Sequence, residues 1–104
     1  MNFLLSELTV IIPTKDDHYR IEENIENLLN YLNLNIQRFE ILIVSNGSSL
    51  FSLNYIDDLV LGIEYIKHLK IEKPGKGLAV KTGIANSEYK NVLYSDADLS
   101  VDIS

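Results

Sequence analysis

Apolar residues recur along the first third of the chain with two different spacings. Residues 8–12 form a short β-branched run that Pro13 ends, and such a run predicts a strand buried on both faces. The next apolar positions share the spacing of one helix face: Ile21, Ile25, Leu28, Leu29 and Leu32. This stripe predicts an amphipathic helix that runs to about Asn33, with Asp16 or Asp17 available to cap its beginning.

The rest of the chain continues the alternation of strand and helix. The predicted elements are a strand over 39–44, a short helix over 50–61, a strand over 63–69, a helix over 78–85 and a strand over 91–94. Turn and loop residues separate them at 46–49 and at 74–77. We therefore predict an α/β fold, in which an open, mostly parallel sheet has right-handed crossovers and helices on both faces.

Composition and charge exclude several classes of protein. The chain has 104 residues and no Cys, so we expect one domain without a disulfide framework or a Cys-based zinc site. Nine basic against fifteen acidic side chains give a net charge of -6, the opposite sign to that of most nucleic-acid binders. No apolar run approaches the roughly 20 residues of a membrane helix, and the first residues lack the pattern of a signal peptide. We expect a soluble cytoplasmic protein with no nucleic-acid partner and no membrane segment.

Ligands of parallel α/β sheets bind beyond the carboxyl ends of the strands, and polar residues follow three of the predicted strands there, at 14–17, 45–48 and 95–98. Asp96 and Asp98 flank one small residue directly after a strand, so both carboxylates can turn toward a single hard cation. Mg²⁺ or Mn²⁺ prefers such oxygen ligands and would keep open positions for a diphosphate. The alternative is an ordinary turn whose carboxylates accept hydrogen bonds from nearby backbone N–H groups.

A second candidate is the triplet in which Lys76 lies between Gly75 and Gly77, just before a predicted helix. Backbone N–H groups and an ammonium group at this position suit an anionic ligand. The spacing of a P-loop and the dinucleotide-binding fingerprint are both absent, so a flexible loop is the competing interpretation.

The remaining polar candidates each have an ordinary structural interpretation as well. One of Asp16 and Asp17 is expected to cap the first helix, and Asn46 is either a turn residue or an amide that pairs with a nucleobase edge. We interpret His18 and His68 as surface or half-buried histidines, since neither has the spacing of a metal ligand. The Tyr and Phe residues are scattered and predict no base-stacking platform.

Three segments, in this order and on this fold, resemble the family 2 glycosyltransferases with the GT-A fold. The segments are Thr9-Val-Ile-Ile-Pro-Thr-Lys-Asp-Asp17, Gly75-Lys-Gly-Leu-Ala-Val-Lys-Thr-Gly83 and Tyr94-Ser-Asp-Ala-Asp-Leu-Ser100. The second and third together are most similar to the polyprenyl-phosphate (dolichyl-phosphate) glycosyltransferase branch, and the resemblance covers roughly residues 8 to 104.

The resemblance implies the Rossmann-like half of a GT-A domain that binds a nucleotide-diphosphate sugar, UDP- or GDP-linked, with Mg²⁺ or Mn²⁺. It implies that Pro13, Thr14, Asp16 and Asp17 lie around the base and ribose. It also implies that Asp96 faces the ribose and the metal, and that Asp98 is the main metal ligand, bridging to the diphosphate. Asn46 stands where many relatives carry an acidic side chain near the base. Its amide oxygen can accept a hydrogen bond from a base N–H, but the side chain carries no charge.

The chain ends six residues after Asp98, where the resemblance implies that an acceptor-binding half should follow. That half supplies the catalytic base in inverting relatives, so no residue here is assigned as the base. We expect a single nucleotide-binding half-domain over residues 1–104, truncated after the Asp-x-Asp motif and inactive alone. One alternative is a non-catalytic binding or assembly module that retains the fold with a decayed site. A phosphoacceptor receiver domain ranks below both, because no strand follows Asp96 to carry the required lysine.

The resemblance also implies a strand order of third, second, first, fourth. The strand over 91–94 would then lie at the edge of the sheet, and residues 92–94 carry no charge to protect it. We therefore expect the chain to associate with itself through this edge.

Overall fold

The computed structural model describes residues 3–96, in which strands and helices alternate. The elements are β1 (Leu5–Thr14), α1 (His18–Asn35), β2 (Ile36–Asn46), α2 (Leu50–Val60), β3 (Ile66–Ile71), α3 (Lys76–Asn86) and β4 (Val92–Tyr94). The strands form one parallel sheet in the order β3-β2-β1-β4. The predicted α/β fold and strand order are therefore confirmed.

The two faces of the sheet carry different helices. Helices α1 and α2 cover one face, where the core is formed by Leu8, Val10, Ile12, Ile21, Leu28, Leu32, Ile36, Ile41, Ile43, Ile56, Val60 and Ile66. Helix α3 covers the other face, where Ala79 packs with Ile11, Leu42 and Val44. Since the two central strands are buried from both sides, their sequences are continuous apolar runs rather than alternating ones.

Helix α3 begins at Lys76, two residues earlier than the sequence pattern predicts. The backbone N–H of Ala79 donates to the carbonyl of Gly75 at 3.0 Å, which closes the first helical turn around Lys76 and Gly77. The interpretation of this triplet as a flexible loop is therefore wrong, because its second and third residues form the first turn of α3.

Gly83 lies in the middle of α3, where glycine ordinarily weakens a helix. A Cβ atom at this position would lie 2.6 Å from Cγ2 of Ile11 on β1. The missing side chain lets α3 approach the sheet closely, and this close packing explains why glycine occurs here.

Strand β4 pairs with β1 and lies at the end of the described sheet. Its three side chains, Val92, Leu93 and Tyr94, are all exposed. Within residues 3–96, no helix is both long enough and apolar enough to cross a membrane.

Candidate functional site

A cleft of about 320 Å³ lies at the carboxyl ends of β1, β2 and β4, beside the beginning of α3. Its lining residues are Pro13, Thr14, Lys15, Asp17, Arg20, Asn46, Lys76 and Asp96. The cleft thus brings together residues of all three polar segments that follow the strands. Among the sequence-predicted site residues, Asp16 does not line this cleft, and Asp98 lies outside the described residues.

Thr14 is the last residue of β1, and its side chain is buried against the cleft. Its Oγ1 atom has no hydrogen-bond partner among residues 3–96. A buried hydroxyl without a partner costs free energy, because it has lost its bonds to water and gained none in return. This atom therefore has a hydrogen-bonding capacity that a ligand in the cleft can satisfy.

Asn46 ends β2 and is buried between two other segments of the site. Its Nδ2 donates to the backbone carbonyl of Thr14 at 2.8 Å, and its Oδ1 accepts from the N–H of Gly75 at 2.9 Å. The amide therefore joins the end of β1 to the beginning of α3. An aspartate could accept from Gly75 but, when ionised, could not donate to Thr14, so this tie requires the amide.

Asp16 joins two loops rather than lining the cleft. Its Oδ1 accepts from the N–H of Ser49 at 2.8 Å, and its own N–H donates to Oγ of Ser48 at 3.2 Å. The hydrogen bond from the Ser49 backbone holds the pKa of the Asp16 carboxyl below its ordinary value. Asp16 adopts a positive φ of 56°, which few residues other than glycine, asparagine and aspartate adopt.

Asp17 occupies the N-cap position of α1, as predicted, but its side chain makes no capping hydrogen bond. Its carboxylate instead lines the cleft together with Lys15 and Arg20. The sequence analysis placed Lys15 in the polar segment 14–17 without naming it as a site residue, and it missed Arg20, although a signal was available. Arg20 follows Asp17 by three residues in the first turn of a predicted helix, a spacing that places two side chains on one face.

Lys76 and Asp96 form an ion pair across the cleft, with Nζ 2.6 Å from Oδ1. The hydrogen bond and charge of Asp96 raise the pKa of the Lys76 ammonium group above its ordinary value. The carboxylate of Asp96 has the oxygen donors that Mg²⁺ or Mn²⁺ prefers, and Lys76 holds one of the two oxygens. Residues 3–96 contain no group of three or more His, Asp or Glu side chains placed to hold a metal ion. Within the described residues, Asp96 therefore supplies one carboxylate of the kind that these cations prefer.

A second polar cluster, which the sequence analysis missed, joins β2, β3 and α2. Oγ of Ser45 lies 2.6 Å from Nε2 of His68, whose Nδ1 lies 2.8 Å from Oδ1 of Asp57. The other carboxylate oxygen of Asp57 accepts from Lys70 Nζ at 2.6 Å. We call these four residues the closed network. His68 thus has a carboxylate partner that its sequence neighbours did not suggest.

The closed network has the order of a Ser-His-Asp hydrolytic site, but Ser45 is 0% exposed and no substrate can reach its hydroxyl. Burial lowers the pKa of His68, and this effect outweighs the opposing hydrogen bond to Asp57. The pKa of Asp57 is also lowered: burial acts to raise it, but the hydrogen bonds from Lys70 and His68 prevail. A neutral His68 therefore donates to an ionised Asp57, and the arrangement is structural.

The interpretation of His18 as a surface or half-buried residue is also wrong, because the histidine is buried, with 7% of its surface exposed. Its Nδ1 lies 2.9 Å from Oγ of Ser52, and three aromatic rings contact the imidazole. Those rings belong to Tyr19, Phe51 and Tyr55. Residues that are distant in sequence thus gather where α1 and α2 meet.

Comparison with known proteins identifies the family of this chain. The sequence profile of the family described as glycosyl transferase family 2 matches residues 9–104. A dolichyl-phosphate beta-glucosyltransferase from Drosophila melanogaster is 30% identical in an alignment of length 102, and the match covers 88% of this chain and 31% of that protein. The chain belongs to glycosyl transferase family 2, and it spans about a third of the length of this curated relative.

Proposed function

We propose that residues 1–104 form one GT-A-like half-domain that binds the nucleotide-diphosphate sugar of a metal-dependent glycosyltransferase. The observation that carries this proposal is the polar cleft at the carboxyl edge of the sheet, in a member of glycosyl transferase family 2. The similar Drosophila protein is named for glucosyl transfer to a dolichyl phosphate, which supports a sugar-transferring role. A UDP- or GDP-sugar as the donor is what the resemblance of the sequence motifs implies. A chain without cysteine is compatible with the reducing cytoplasm, which stays our prediction for its location.

The distribution of charge supports an anionic ligand. The chain carries a net charge of -6, yet three of its nine basic residues, Lys15, Arg20 and Lys76, line the one cleft. Among residues 3–96, the acidic residues that line it are Asp17 and Asp96. Local positive charge in an acidic protein raises the concentration of anions at that place.

We assign the parts of the donor to different sides of the cleft. Pro13, Thr14, Asp17 and Asn46 would lie beside the base and ribose. Asp16 would act indirectly, through its hydrogen bonds to Ser48 and Ser49. Lys76 would contact the diphosphate. Asp96, together with Asp98, would hold Mg²⁺ or Mn²⁺, which neutralises charge on the leaving diphosphate when it is bound.

A non-catalytic binding or assembly module is the second candidate. It is favoured by the side chain of Asn46, because both ends of its amide already bond to the backbone of Thr14 and Gly75. Such a side chain contributes less to base recognition than one directed only at a ligand. Nucleotide binding separates the two candidates.

Calorimetry with UDP and GDP, each with Mn²⁺ and with a chelator, tests the proposal. We expect about tenfold tighter binding of one nucleotide with Mn²⁺, a difference that Asp96→Asn should abolish. Asp58→Asn, which removes an exposed carboxylate on α2 outside the cleft, is the matched control and should keep the difference. Equal affinity with and without metal would contradict the metal site, and no binding under either condition would favour the second candidate.

We also propose that the chain associates with itself through β4. In the described sheet this strand pairs with β1 alone, and its side chains are exposed. An apolar groove of about 360 Å³ lies beside it, lined by residues that include Leu4, Leu5, Val92 and Leu93. A second copy that adds its own β4 would pair the free backbone groups and cover this surface.

A further inference from the structure

The ion pair joins Lys76, assigned above to the diphosphate, to Asp96, assigned above to the cation. Lys76 begins α3, and Asp96 follows β4 by two residues. Their side chains are 60% and 69% exposed, and exposed pairs of this kind contribute little to stability. The fold therefore does not depend on this contact, and either partner can leave it at small cost.

A divalent cation would compete with Lys76 for Asp96. Mg²⁺ binds carboxylate oxygens at about 2.0–2.1 Å, and the Lys76 ammonium already lies 2.6 Å from Oδ1. A second positive charge on the same carboxylate would repel the ammonium group over a distance of a few ångströms. Metal binding at Asp96 should therefore weaken or break the contact with Lys76.

We propose that Lys76 is exchanged between two anions in the cleft. Without a cation it pairs with Asp96, and when a divalent cation takes over Asp96 the lysine moves to the diphosphate of the donor. This inference rests on the proposed function and adds how cation binding at Asp96 makes Lys76 available to the diphosphate. The first turn of α3 suits the second position, because the N-terminal end of a helix favours negative charge.

The exchange predicts opposite effects of one substitution on two ligands. Lys76→Gln frees Asp96 from its competitor, so Mn²⁺ alone should bind about fivefold more tightly than to the unaltered chain. The same variant lacks the ammonium group for the diphosphate, so UDP or GDP should bind about tenfold more weakly in the presence of saturating Mn²⁺. A residue that only stabilises the cleft would change both affinities in the same direction.

Lys81→Gln is the matched control. It removes the same charge from the exposed side of the same helix, and Lys81 does not line the cleft. Both affinities of this variant should stay within about twofold of the unaltered chain, and circular dichroism should show that each variant is folded.

The titrations of Lys76→Gln and Lys81→Gln either support or contradict the exchange of Lys76 between the two anions. Tighter Mn²⁺ binding together with weaker nucleotide binding in Lys76→Gln alone supports the exchange. Unchanged or weaker Mn²⁺ binding in Lys76→Gln overturns it, and so does an equal gain in Lys81→Gln, even if the unaltered chain binds metal and nucleotide as proposed. If neither the unaltered chain nor Lys76→Gln binds Mn²⁺ or nucleotide, the proposed function fails and the exchange fails with it.

Discussion

Two polar clusters lie near the carboxyl end of β2. They differ in how far the hydrogen-bonding groups of their side chains find partners within the cluster. In the closed network, Ser45, His68, Asp57 and Lys70 form a continuous chain of contacts of 2.6–2.8 Å. In the cleft on the other side, the hydroxyl of Thr14 has no partner among the described residues, and several charged side chains reach solvent. Adjacent residues of β2 contribute to both, Ser45 to the network and Asn46 to the cleft.

The difference separates polar residues that hold the fold from those that can hold a ligand. A buried polar group must find a partner. In the closed network the buried side chains of Ser45 and His68 have partners within the protein, while Asp57 and Lys70 also reach solvent. In the cleft, the buried hydroxyl of Thr14 has no partner among the described residues, and this lowers the stability of the protein. A Ser-His-Asp pattern alone would have pointed to the wrong cluster, since its hydroxyl is inaccessible.

The largest effect should come from breaking the closed network. His68→Ala removes a side chain that is 3% exposed and leaves Ser45 and Asp57 each without one partner. We expect a loss of about 2–3 kcal/mol in the free energy of unfolding, measured in urea, because of the unpaired groups and the cavity. Lys73→Ala, at an exposed position just after β3, should cost much less. Weaker nucleotide binding by the folded His68→Ala chain would show that the network also serves the ligand.

In the cleft, Thr14→Val should increase the stability of the protein, whereas His68→Ala in the closed network should decrease it. Replacing an unpartnered buried hydroxyl with a methyl group of similar shape should raise the free energy of unfolding by about 1 kcal/mol. The affinity for nucleotide should fall several-fold, because the ligand loses its hydrogen bond to Oγ1. Thr14→Ser keeps the hydroxyl and should bind nucleotide almost normally. If Thr14→Val is less stable than the unaltered chain, the hydroxyl already has a partner in the protein.

The closed network should also make stability depend on pH. Burial lowers the pKa of His68 below its ordinary value of 6.5, so the unfolded chain takes up the proton first as the pH falls. Stability should therefore be highest above pH 6.5, fall as the pH drops through that value, and level off below the folded-state pKa. The lowered pKa of Asp57 adds a separate loss only below its ordinary value of 3.8. Urea unfolding of His68→Gln should lack the first change; an identical profile would assign that change to another group.

The smallest effect on the fold is expected at the sheet edge. Leu93→Lys places a charge on an exposed side chain of β4, so it should weaken self-association while changing stability little. Light scattering over a range of protein concentrations measures this, and Leu61→Lys, at an exposed position after α2, is the control. A monomer at high concentration in the unaltered chain would contradict association through β4.

Local patterns in the sequence were sufficient to predict most of the elements. The spacing of Ile21, Leu28 and Leu32 predicted α1, and the runs over 8–12 and 39–44 predicted the two buried strands. These patterns are readable because a buried strand or a helix face imposes its own period on neighbouring residues. The end of β1, the last residue of β2 and the residues after β4 were also recognised as candidates, since parallel strands end at one edge.

Contacts between residues that are distant in sequence determined which hydrogen bonds the polar side chains make. The amide of Asn46 bonds to the backbone of both Thr14 and Gly75. These residues are 32 and 29 positions away along the chain, and the fold brings them to the two ends of the amide. His68 became part of a buried network because Asp57 and Ser45 approach it from α2 and β2. The sequence by itself determined the order of the elements, the apolar faces and the acidic charge, which follow from local periodicity and composition. Only the tertiary structure decided which polar groups are paired, since a hydrogen bond depends on distance in space and not on separation along the chain.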